Sequence, residues 1–136
     1  MIIDFEGEPA RPLGERRLKR SPLRDVAGLV RSLDYAASAA IRRLLEVGVV
    51  SPERTEAVER WGDFWYRWVA ASFLRSYFET TRGAGFLPPE DKATGELLEG
   101  FMLDKAVYEI GYELNNRPDW VGIPLHGLLR LLGERS

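Results

Sequence analysis

Asp4 and Glu6 stand two residues apart at the end of a short apolar run, Met1-Ile2-Ile3-Asp4-Phe5-Glu6. On an extended segment that spacing puts both carboxylates on one face. Hard oxygen ligands of this kind suit a magnesium ion bridging ATP phosphates, while a solvated surface pair is the competing reading of so short a motif. A second group lies in Asp104-Lys105-Ala106-Val107-Tyr108-Glu109-Ile110-Gly111-Tyr112-Glu113. Lys105, Tyr108 and Tyr112 fall at i, i+3 and i+7, hence on one helical face, with Asp104 at its border. Charge, hydroxyl and aromatic surface together suit a neutral polyhydroxylated ligand. A solvent-facing stripe with tyrosines packed on their sides explains the same spacing.

Two other clusters carry an ordinary and a chemical reading each. Arg16, Arg17, Lys19, Arg20 and Arg24 could clamp phosphate, or form a solvated face balanced by Glu15 and Asp25. Trp61, Phe64, Trp65, Tyr66 and Trp68 could stack on sugar rings, but at helical spacing such a run is expected to be core.

The elements that must hold these residues are mostly helices. Residues 1–6 are expected to form a strand with no preceding partner, which leaves backbone groups unsatisfied unless other chain covers them. The chain is therefore expected to be the back end of a longer enzyme. Residues 7–21 mix glycine, proline and charge without apolar period, as a loop does. Ser21-Pro22 gives a helix start, and apolar residues from Leu23 to Leu45 recur at three- and four-residue steps until Gly48. Ser51-Pro52 repeats the start, for a helix running to Gly83 and Gly85. After Pro88-Pro89 a third helix has Leu97, Leu98, Phe101, Met102, Ala106, Ile110 and Leu114 as its inner face, with Gly95 and Gly100 placed to bend or split it. Asn115-Asn116-Arg117-Pro118 ends it, and a short helix runs from Pro124 to about Leu132. The expected fold class is mainly α: one domain over 1–136, a helical bundle (22–136) with one short N-terminal strand (1–6) that carries Asp4 and a loop (7–21) between.

Composition narrows the partners. With 136 residues, 45% of them hydrophobic, the chain can bury one core. A net charge of -2 with mixed signs argues against nucleic acid or an anionic membrane as partner. No run approaches the ~20 apolar residues of a membrane span. The absence of cysteine and the single His126 exclude disulfides, thiolate metal sites and histidine clusters within the chain, and fit a cytoplasmic protein.

Three segments taken together carry a resemblance: Ile3-Asp4-Phe5-Glu6-Gly7-Glu8-Pro9, Ser21-Pro22-Leu23-Arg24-Asp25-Val26-Ala27, and Lys105-Ala106-Val107-Tyr108-Glu109 with Tyr112-Glu113-Leu114-Asn115-Asn116-Arg117-Pro118-Asp119-Trp120. In order and separation they resemble the bacterial maltokinases, which occur alone or fused to trehalose synthase. The resemblance implies the C-terminal helical lobe of an aminoglycoside-phosphotransferase-like, protein-kinase-like fold. The implied activity is transfer of the ATP γ-phosphate to the anomeric hydroxyl of maltose, giving maltose 1-phosphate for α-glucan synthesis. By its pattern Asp4 binds magnesium, and Lys105, Tyr108 and Tyr112 contact maltose, with Asp104 and Trp120 as outer candidates.

The resemblance also implies that the nucleotide-binding lobe and catalytic loop precede Asp4 in the intact enzyme, which would use magnesium and ATP. The chain alone is then expected to be inactive and to hold neither tightly. Its expected partners are maltose, the missing kinase portion or a trehalose synthase domain, and a second copy paired through the exposed N-terminal strand. A non-catalytic helical module for sugar binding or protein association is the alternative.

Overall fold

The first helix begins where the sequence places it. The Leu23 N–H donates to Ser21 Oγ at 3.3 Å, and α1 runs over Leu23–Glu46. Gly48 leaves it at φ +70°, a conformation that costs glycine little. Pro52–Arg54 then form a 3-10 turn that opens α2, Thr55–Thr80, which ends before Gly83 at φ +78°. The third helix, α3, spans Asp91–Asn116, unbroken through Gly95 and Gly100. A second 3-10 turn, Pro118–Trp120, leads into α4, Gly122–Gly133. This computed structural model describes residues 20–133 together with Pro12 and Gly14.

The central element is α1, which packs against α2, α3 and α4. Val26, Ala27 and Val30 of α1 meet Tyr66 and Ala70 of α2, Leu98, Met102 and Ala106 of α3, and Leu131 of α4 in one apolar cluster. Phe73, Leu74, Phe101 and Leu128 pack around it. Burying such side chains contributes roughly 1.5–3 kcal/mol each.

Three expectations are corrected. The fold class of a bundle with an N-terminal strand gives way to an all-helical arrangement, because no strand occurs among the described residues. The expected strand and Asp4 themselves lie outside those residues. On α3, Leu97 and Leu114 are exposed, and Glu113 is buried where an apolar residue was expected. On α2 the aromatic run is not core: Trp61, Phe64, Trp65 and Trp68 are 70%, 57%, 45% and 68% exposed, and only Tyr66 is buried.

The cause of the last two is a row of charges that runs from the interior of the bundle to its surface. Arg31, 1% exposed, donates from Nη2 to Glu109 Oε2 at 2.7 Å and from Nη1 to Asp34 Oδ2 at 2.6 Å. Asp34 Oδ1 accepts from Arg130 Nη1. Arg130 Nε lies 3.1 Å from Asp63 Oδ1, an ion pair without hydrogen-bond alignment, since that oxygen is buried and accepts no hydrogen bond. Asp63 Oδ2 accepts from Arg67 Nε at 2.8 Å. Glu109, Arg31, Asp34, Arg130, Asp63 and Arg67 thus alternate in sign and join all four described helices. Alternation matters because an unpaired charge taken from water is strongly destabilising, whereas a fully paired one is tolerated.

The row needs α4 close to α1, and Gly127 permits it. A Cβ there would lie 2.6 Å from both Arg31 Nη2 and Asp34 Oδ2. Gly28, on α1, has open space around the same construction. Gly127→Ala should therefore lower stability by about 2–3 kcal/mol through overpacking and broken ion pairs. Gly28→Ala should raise it by up to about 1 kcal/mol through helix propensity. Urea unfolding of both variants checks this, and a Gly127→Ala protein as stable as the parent would contradict the close approach.

Candidate functional site

The helical face predicted at Lys105, Tyr108 and Tyr112 exists and extends further than its spacing showed. Lys105 Nζ sits 4.5 Å from the centre of the Tyr108 ring, and Tyr108 stacks on Tyr112 with centroids 6.5 Å apart and planes 26° apart. The Arg117 guanidinium continues the row, 6.0 Å from Tyr112 and 4.9 Å from Trp120. Arg42 lies 4.9 Å from the same Trp120 ring, and Tyr35 stacks near it at 6.4 Å and 10°. Cations over aromatic faces are attracted by the ring quadrupole, about 0.5–1 kcal/mol each where exposed.

Of the five candidate sugar contacts, Lys105, Tyr108, Tyr112 and Trp120 therefore share one row. Trp120 is contacted by Arg42, Arg117 and Tyr35. Asp104 stands aside, exposed and 3.7 Å from Arg24. That contact also occupies Arg24 of the basic cluster, whose Arg16, Arg17 and Lys19 lie outside the described residues.

Glu113 anchors the row from below. Its buried carboxylate accepts from Tyr35 Oη at 2.7 Å, and from Arg117 Nη2 at 2.7 Å and Nε at 3.0 Å. The fork of Arg117 thus grips both carboxylate oxygens, the stronger geometry for such a pair. This hydrogen bond raises the Arg117 pKa above its ordinary value. Arg42 ties the turn to α1 by donating to the Asp119 carbonyl. Tyr35, Arg42, Arg117 and Glu113 escaped the sequence reading as site residues. Tyr35 and Glu113 are 78 positions apart, so no local pattern links them.

Beside the row, α1, α2 and α4 enclose an open groove of about 1010 Å³ lined by Ile41, Arg42, Asp63, Phe64, Ile123 and His126 among others. Its charged walls include Asp34, Asp63, Arg67 and Arg130 of the ion row. Among the described residues no group of three or more acidic or histidine side chains could hold a metal ion, and no helix is long and apolar enough to cross a membrane.

The row sets aromatic surface beside the cations Lys105, Arg117 and Arg42. No family model matches the chain. It is 29% identical over 137 residues to a protein described as glucosamine kinase, from Streptacidiphilus jiangxiensis. The chain is similar to part of a sugar kinase. The match takes in 98% of this chain and 28% of that protein, so the chain spans little more than a quarter of the relative's length.

Burial, with the Glu113 hydrogen bond second, pushes the Tyr35 phenol from 10.0 up to about 12. A folded pKa above the unfolded one means that this contribution to stability is intact below pH 10 and is lost as pH climbs from there through about 12. Phenolate absorbance followed against pH should show a late ionisation that Tyr35→Phe removes. An unchanged final step in that variant would place Tyr35 outside the Glu113 network.

Proposed function

We propose that the chain is the C-terminal helical part of an ATP-dependent sugar kinase of the maltokinase type, and that its share of the work is to hold the acceptor sugar. The observation that carries this is the single row formed by Lys105, Tyr108 and Tyr112 with Arg117 and Trp120. The similarity to a glucosamine kinase supports the sugar-kinase class. In this reading Tyr108 and Tyr112 lie against the apolar faces of pyranose rings, Lys105 donates to sugar hydroxyls, and the Trp120 edge and Asp104 border the pocket.

Charge favours a neutral acceptor over an aminosugar. The groups lying over the aromatic rings are the cations Lys105, Arg42 and Arg117, while Glu113 is buried and gripped by Arg117 and Asp104 is drawn to Arg24. An ammonium group on the sugar would meet like charge. Maltose, phosphorylated at its anomeric hydroxyl in the intact enzyme, fits this better than glucosamine.

Magnesium and ATP belong to the intact, cytoplasmic enzyme, to which the remaining kinase portion or a trehalose synthase domain would be joined. ATP held with its metal supplies the phosphoryl group there. Asp4, the proposed metal ligand, lies outside the described residues, so no transfer step is assigned to this chain's helices.

Titration of the chain with maltose, followed by tryptophan and tyrosine fluorescence, tests the proposal. Maltose should bind in the millimolar range, near 4 kcal/mol of affinity. Tyr112→Ala should weaken binding about tenfold, or ~1.4 kcal/mol, and glucosamine should bind more weakly than maltose. Saturable binding of glucosamine alone would reassign the acceptor, and no response to either sugar would remove the row as a sugar face.

A further inference from the structure

Arg117 is engaged along one edge of its guanidinium and open along the other. Its Nε and Nη2 donate to the two oxygens of Glu113 at 3.0 and 2.7 Å, and Nη2 also donates to Tyr35 Oη at 3.3 Å. Glu113 is 2% exposed and takes a further hydrogen bond from Tyr35 at 2.7 Å. A planar guanidinium gripped at two points holds one orientation. Its Nη1 keeps two N–H groups that meet no partner among the described residues, and the side chain is 46% exposed.

The other cations of the row are placed differently. Arg42 uses Nη1 on the Asp119 carbonyl and Nε on Glu46. Lys105 carries its ammonium on a flexible stem, which fixes no direction. Arg117 combines a fixed direction with an unanswered donor, and its Cζ stands 6.0 Å from the centre of the Tyr112 ring. A pyranose lying on that ring carries its hydroxyls around its rim, on the side where the guanidinium stands.

We propose that Arg117 Nη1 donates to a hydroxyl of the acceptor sugar, with Glu113 and Tyr35 as its positioning residues, an assignment that rests on the sugar-kinase reading above. The Glu113 carboxylate directly behind the guanidinium offsets its attraction for an anion, so a neutral hydroxyl fits better than an oxyanion. Nη1 can only donate, and an ammonium group can only donate as well. A sugar with an ammonium in place of that hydroxyl therefore sets two donors face to face. Arg117 becomes a specificity determinant that favours oxygen over charged nitrogen at one position of the ring.

Two measurements test this. Arg117→Lys keeps a cation beside Glu113 but loses the fixed fork. It should leave helical circular dichroism unchanged and weaken maltose binding about tenfold, the size of one hydrogen bond to a charged group. The second readout uses the parent chain and does not depend on how the variant folds: the Arg117 side-chain N–H resonances should shift in NMR spectra as maltose saturates. A parent that binds maltose with those resonances unmoved overturns the assignment and leaves the sugar face standing. A folded Arg117→Lys protein that binds maltose as tightly as the parent does the same. Absence of maltose binding by the parent overturns the assignment and the sugar face together.

Discussion

The alternating row of Glu109, Arg31, Asp34, Arg130, Asp63 and Arg67 is the constraint from which the rest of the structure follows. A helix can turn about its own axis at small cost in apolar contact if both faces are greasy, as those of α2 are. Asp63 removes that freedom, because it must face Arg130. Once Asp63 points inward with Tyr66 and Ala70, helical geometry sends Trp61, Phe64 and Trp68 outward. The same logic orients α3. Glu109 and Glu113, one turn apart, face α1, where Arg31 and Tyr35 receive them. Tyr108 and Tyr112 each precede one of these carboxylates, so they come to lie along the helix edge as a pair.

The aromatic row on α3 and the charges within the bundle are thus two sides of one arrangement. Arg117 links them directly, holding Glu113 with its fork while its plane lies over Trp120. Because the carboxylate below is fixed, the guanidinium above is fixed, and the indole is held in turn. A rigid base of this kind leaves the side chains of the row little freedom to lose.

Much of this was legible in the sequence where the signal is local. Ser21-Pro22, Gly48, Gly83 and the Asn115-to-Pro118 stop mark helix ends through backbone preferences, and the structure follows them. Lys105, Tyr108 and Tyr112 were readable because their spacing alone sets one face. The inward placement of Asp34, Asp63 and Glu113 was not, since each is settled by a partner on another helix. Counting apolar residues therefore chose the wrong side of α2 and favoured Leu114 over Glu113. The tight passage at Gly127 was likewise invisible, since a glycine within a helix is more often a weak point than a point of contact.

The row of charges also bears on the order in which the chain can fold. Its pairs join positions 78 and 96 apart, Arg31 to Glu109 and Asp34 to Arg130. Helices of this length form in about a microsecond, but contacts so distant along the chain come only after wide loops have closed. Until α4 docks, Asp34 Oδ1 lacks its Arg130 partner and still needs water, so this end of the row cannot dry. Loss of water from that end of the row and seating of the shortest described helix are then one event, which makes α4 the latch of the fold.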